Sequence, residues 1–116
     1  MGRPYPGAAA VSALVWCPCP DQETATSLAR TLVEEKLAAC GNVIGPIHSV
    51  FCWRGEISEA GEVGLLLKTD AALLQQAVAR LEDVHPYDEP AVLGWQCDAA
   101  GEATAAWLGA LAGMRG

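Results

Sequence analysis

The spacing of apolar residues switches repeatedly between two and about 3.6 along this chain. The order of those switches leaves few folds open. Ser12 to Cys17 is a short apolar run that tolerates a strand, and Pro18 and Pro20 break it. Asp21 is placed to cap a helix, along which Ala25, Leu28, Ala29, Leu32, Val33, Leu37 and Cys40 recur at helical spacing. Gly41 is its expected stop. From Val43 to Trp53 the period is two, with Ile47, Ser49, Phe51 and Trp53 on one face and His48, Val50 and Cys52 on the other. Gly45-Pro46 predicts a bend or bulge within that long strand.

The segment RGEISEAG reads as a polar connection to a strand over Glu62 to Thr69. Val63, Leu65 and Leu67 share one face of that strand, and Glu62, Gly64, Leu66 and Lys68 share the other. Asp70 caps a second helix with Leu74, Ala77, Val78 and Leu81 as its stripe, and this helix must end before Pro86. Pro90 admits a fourth strand, Ala91 to Cys97. A last helix from Glu102 to Leu111 uses Trp107, Leu108 and Leu111 as anchors.

This order predicts an α+β fold of the ferredoxin-like βαββαβ plan, with an additional C-terminal helix. Right-handed crossovers put the two main helices on one face of a four-stranded antiparallel sheet. The central hairpin is longer than such a sheet needs, so its unpaired edge predicts strand pairing between copies of the chain. Residues 1–10 read as a flexible leader, 11–112 as a single domain and 113–116 as a tail. A signal peptide fits that leader poorly, because its apolar run ends in WCPCP and not at a small-residue cleavage site.

A chain of 116 residues with net charge −7 and no run of Lys or Arg is not built to bind nucleic acid. No apolar stretch approaches the roughly 18 residues of a membrane span. Five cysteines, at 17, 19, 40, 52 and 97, cannot all pair internally. They form neither C-x-x-C nor zinc-finger spacing, which fits a cytoplasmic chain with reduced thiols. No Ser-His-Asp pattern or Gly-rich phosphate loop stands in the sequence, so an enzyme is not expected.

Candidate chemistry is concentrated in two places. Cys17 and Cys19 form a C-x-C pair at the strand–helix corner, and thiolates suit a soft metal such as Cu(I). His85 stands in HPYDEP, with Tyr87, Asp88 and Glu89 behind it, and imidazole is a good ligand for Cu(II) or zinc. Cys40 continues the first helical stripe and is read as a core residue. His48, mid-strand, faces solvent or an interface. Trp53 and Trp95 read as packing or interface anchors.

Five stretches in register resemble the divalent-cation tolerance (CutA) family. They are Cys17 with Pro20-Asp21; KLAACGNV at 36–43; SVFCWRG at 49–55, followed by Glu62 and Lys68-Thr69; HPYDEP at 85–90; and Trp107-Leu108. The resemblance implies a tight homotrimer that binds a divalent metal ion, copper above others, and acts in tolerance of metal ions. It carries over to Cys17, Cys40 and His85 as metal candidates, with Cys19 an extra thiol beside them. Glu62 and Lys68 share a strand face, and a cleft between subunits is expected near Trp53, Glu62, Lys68 and Tyr87. Phe51 stands where the family commonly has tyrosine, and Ala91 where it has glutamate. Two other readings share the fold: a PII-like trimeric sensor of small molecules, and an interaction trimer without ligand. The former would have to do without the basic residues that hold nucleotide phosphates.

Overall fold

The structure is a computed structural model, and it describes residues 10–115, with the side chain of residue 115 left aside. The leader expected over 1–10 lies, but for Ala10, outside the described residues. The elements are β1 (Ser12–Cys19), α1 (Gln22–Glu34), β2 (Cys40–Trp53), β3 (Glu56–Asp70), α2 (Leu74–Val84), β4 (Leu93–Gln96) and α3 (Glu102–Arg115). A 3-10 turn at Ala71–Leu73 leads into α2. The sheet order is β2-β3-β1-β4, and every neighbouring pair is antiparallel. The expected α+β architecture is therefore the observed one.

Alternation along β1 and β3 decides where the core sits. Val15, Cys17, Cys19, Leu65 and Leu67 face α1 and α2 and pack on Ala25, Leu28, Ala29, Leu32, Ala77 and Leu81. Both helices thus lie on one face, as right-handed crossovers require. Ala105, Leu108 and Leu111 of α3 are buried, whereas Trp107 is half exposed and is not the anchor that its size suggested. The helix also runs past Leu111 to Arg115.

Helix α1 ends earlier than its apolar stripe implied. Asp21 Oδ1 accepts the Thr24 N–H at 2.7 Å and starts the helix. At the other end Lys36 turns left-handed with φ 59. Leu37 N–H donates to Leu32 O at 2.9 Å and Lys36 N–H to Val33 O at 3.0 Å, which is a Schellman cap. Gly41 therefore does not stop a helix. A Cβ there would lie 2.8 Å from Ala29 Cβ, so glycine lets β2 approach α1. Because Lys36 holds a conformation that costs a non-glycine residue free energy, Lys36→Gly is expected to raise stability by about 1 kcal/mol. Chemical denaturation at fixed protein concentration checks it, and no gain would mean the cap is unstrained.

The polar segment after Trp53 is not a loop. Only Arg54 and Gly55, with φ 52 and 83, turn the chain, as in a type I′ hairpin, and β3 starts at Glu56. The reason is the length of the hairpin. β1 ends at Cys19, opposite Val63, so residues 56–62 extend past the core and have no face that must be apolar. β2 and β3 span 14 and 15 residues, and the longest dimension of the molecule is 53 Å. The radius of gyration is 15.5 Å, against about 13 Å for a compact domain of this length.

The register of β2 against β3 shifts between Ile44 and Ile47, at Gly45-Pro46, where the peptide bond is cis. Ile44 pairs with Gly64 and Ile47 with Glu62, so β2 holds one extra residue. That residue reverses the alternation. It places Ile47, Ser49, Phe51 and Trp53 on the same side as Glu62.

Candidate metal centre

The Cys17, Cys19 and His85 donor atoms lie within 4.8 Å of one another. Both cysteines are fully buried and His85 is 7% exposed. Residues two apart on a strand point the same way, so the C-x-C spacing sends both thiols under the helices. His85 arrives from the C-terminal cap of α2, where the following proline forces an extended backbone with ψ 141.

Hydrogen bonds fix the imidazole. Tyr87 N–H donates to Nδ1 at 3.1 Å, and Nε2 lies 3.0 Å from Pro18 O. A backbone N–H can only donate and a carbonyl only accept, so the proton sits on Nε2. The thiols donate weakly to backbone carbonyls, Cys17 Sγ to Pro18 O at 3.5 Å and Cys19 Sγ to Cys17 O at 3.7 Å. The Cys19 thiol beside it, together with burial, pushes the Cys17 thiol far above its ordinary range. The Cys17 S–H holds Cys19 below its ordinary value. One thiolate at Cys19, stabilised by one thiol at Cys17, is the state this pair favours when it loses its first proton.

A metal fits this donor set in kind and in distance. Sulfurs on a tetrahedral ion with bonds of about 2.3 Å stand roughly 3.8 Å apart, within reach of small side-chain rotations. Cys17 and Cys19 would hold such an ion directly. Cys40 would not. It pairs with Lys68 on β3, one residue out of step with buried Leu67, and so lies on the face of the sheet opposite Cys17 and Cys19. Its thiol donates to Asn42 Oδ1 at 3.8 Å. The helical stripe that suggested a core position for Cys40 ends before it. Cys52 is exposed on the hairpin, and Cys97 follows β4.

A groove of about 730 Å³ runs beside the cluster, between the hairpin and the 85–91 loop. Phe51, Trp53, Arg54, Glu62 and Tyr87 line it. Tyr87 OH donates to Glu62 Oε2 at 2.8 Å, and burial together with that carboxylate pushes the phenol well above its ordinary value. Tyr87 therefore ties the two sites together, its backbone to His85 and its side chain to Glu62. Three of the four cleft residues expected from sequence meet here. Lys68 does not, because it lies six residues from Glu62 along β3, roughly 20 Å at strand rise. Phe51 and Ala91, the two departures from the family pattern, both line this groove and neither belongs to the thiol cluster.

Sequence reasoning missed the Pro18 carbonyl, which accepts from both the Cys17 thiol and His85 Nε2. It also missed Arg54, whose guanidinium lies 5.4 Å from the Trp53 ring centre and 3.9 Å from Glu89. No residue pattern flags a carbonyl. The positive φ of Arg54 was hidden in a segment read as a loop.

Residues 13–110 match the family model described as CutA1 divalent ion tolerance protein. The divalent-cation tolerance protein CutA of Pyrococcus horikoshii is 36% identical over 95 residues, which cover 82% of this chain and 92% of that one. The CutA homolog of Danio rerio is 31% identical over 90 residues; the match covers 78% of this chain but spans only 60% of that relative's length. The crystal structure of the divalent ion tolerance protein CutA1 from Ehrlichia chaffeensis superposes with TM-score 0.82 at 31% identity, covering 90% of this chain and 97% of that one. Motif register, fold and family model agree, and the chain belongs to the CutA1 divalent ion tolerance protein family.

Proposed function

We propose that this chain is a homotrimeric, non-enzymatic metal-tolerance protein. In this reading it binds copper, or an ion of similar preference, at the cluster of Cys17, Cys19 and His85, and it acts in the response to metal ions. The observation that carries it is the convergence of two thiols and an imidazole within 4.8 Å in a chain of this family. Copper suits the set because thiolates prefer a soft ion. A cytoplasmic setting is supported by five cysteines without a disulfide.

The trimer is supported by the overhanging hairpin. No strand pairs with residues 56–62 on the β1 side among the described residues. Val50, Ile57, Leu93 and Trp95 are exposed at 64%, 78%, 63% and 45%. An exposed strand edge flanked by apolar side chains is a template for another chain.

Two measurements test this reading. Calorimetric titration with Cu(II), Cu(I) and Zn(II) is expected to show binding that Cys17→Ala removes. Binding that survives this change, or no binding of any ion, sinks the site. Mass in solution at micromolar concentration is expected to be three times that of the chain, and a monomer sinks the assembly.

A further inference from the structure

Cys19 is the thiol that the family resemblance does not supply, and it lies fully buried beside Cys17. We propose that Cys19 makes the cluster a site for a soft ion of low coordination number, of the Cu(I) or Ag(I) class, held by the two thiolates with His85 as a positioning residue. The inference rests on the metal-binding reading above and names the class of ion.

Three observations carry it. The first is hardness. The cluster holds two sulfurs and no carboxylate, and soft thiolates select monovalent copper over ions that prefer oxygen. The second is coordination number. Zinc takes four ligands, by filling the fourth place with protein or water. Here the donors number three, and exposures of zero, zero and 7% leave little room for water.

The third is the imidazole. Both ring nitrogens of His85 are engaged, Nδ1 by the Tyr87 N–H and Nε2 by Pro18 O. Ligation through Nε2 would displace its proton while Nδ1 still faces a donor. Ligation through Nδ1 would orphan the Tyr87 N–H. Each route costs a hydrogen bond in a buried place. Two thiolates alone give up only the weak S–H contacts to Pro18 O and Cys17 O. Across a two-coordinate ion with bonds of about 2.3 Å their sulfurs stand up to about 4.6 Å apart. The two sulfurs lie within 4.8 Å of each other, so small side-chain rotations suffice to set that span. Each thiol gives up its proton to solvent as its sulfur binds. His85 meanwhile holds the Pro18 carbonyl and keeps the corner between β1 and α1 in place.

The test uses Cu(I) and Ag(I) in competition with a chromophoric chelator, on the full chain and on Cys17→Ala, Cys19→Ala, Cys19→Ser and His85→Gln. Far-UV circular dichroism confirms that each variant folds, and Cys19→Ser, nearly isosteric, guards against collapse of a cavity. Loss of an outer-shell partner costs about 10–100-fold in metal affinity. Both changes at Cys19 are therefore expected to lose more than about 100-fold, as direct ligands should. His85→Gln can donate and accept, and is expected to keep the affinity within about threefold. X-ray absorption of the Cu(I) protein is expected to show two sulfurs and no imidazole shell. A smaller loss at Cys19, a larger one at His85→Gln, or an imidazole shell overturns the inference. If the full chain binds neither ion, the metal-binding reading itself fails. If Cys17→Ala loses binding and Cys19→Ala keeps it, that reading stands and this inference alone falls.

Discussion

Leu65→Ala is expected to lose about 2–5 kcal/mol of stability, the range for a leucine removed from a core that cannot collapse around the gap. Leu65 is fully buried, stands directly opposite Cys17 across the β1–β3 ladder, and belongs to the cluster packed by α1 and α2. The surroundings are stiff. Helices press from one side, and the sheet backbone on the other is paired to both neighbours. Denaturant unfolding at fixed protein concentration is the measurement, because oligomers unfold with concentration-dependent midpoints. A loss below about 1 kcal/mol would show that the core relaxes into the space and that the layer behind the thiols is soft.

Gly64→Ala is the second large effect, and its cause lies on the other face of the same strand. A Cβ at Gly64 would stand 2.2 Å from Trp16 Cη2 and 2.6 Å from Cζ3. The indole lies over the glycine, so the added methyl must push a ring that is part of the sheet surface. Overpacking of this kind costs about 1–3 kcal/mol. The mechanism has its own control. In a Trp16→Leu background the same change is expected to cost less than about 0.5 kcal/mol, because groups in contact couple and distant ones add. If the penalty is unchanged without the indole, the cause is the strand backbone and not the ring.

Both predictions concern residues whose side of the sheet was readable from alternation alone. Val63, Leu65 and Leu67 were separable from Glu62, Gly64, Leu66 and Lys68 before any coordinates, because a strand's period is a local property. The common direction of the Cys17 and Cys19 thiols was not readable in this way, because the strand was expected to break at Pro18 and instead runs on to Cys19. Asp21 and Asp70 were readable as caps, since a short side-chain acceptor next to orphan N–H groups is also local. Asp21 accepts from Thr24, and Asp70 Oδ2 accepts the Ala72 N–H at 2.9 Å.

Errors came where locality failed. The stripe from Ala25 to Cys40 continued in sequence after the helix had stopped, because Leu37 and Ala38 are buried by the fold and not by the helix. Residues 56–61 were polar and so resembled a loop. They are strand because the hairpin leaves the core, where backbone pairing holds and no apolar face is required. Trp107 looked like an anchor by size, yet the packing of α3 buries Leu108 and Leu111 instead.

By itself the sequence determined the order of elements, the faces of the strands and the family motifs. Only the tertiary structure decided which distant groups join the two thiols. His85 meets Pro18 from 67 residues away because the α2 crossover returns the chain to the end of β1. Cys40 is excluded because strand register puts it on the opposite face of the sheet. One extra residue at Gly45-Pro46 turns Phe51 and Trp53 toward Glu62. The physical reason is the same in all three. Side-chain direction is set by the two dihedrals of each residue, whereas proximity is set by register and crossover, which are sums over the whole chain.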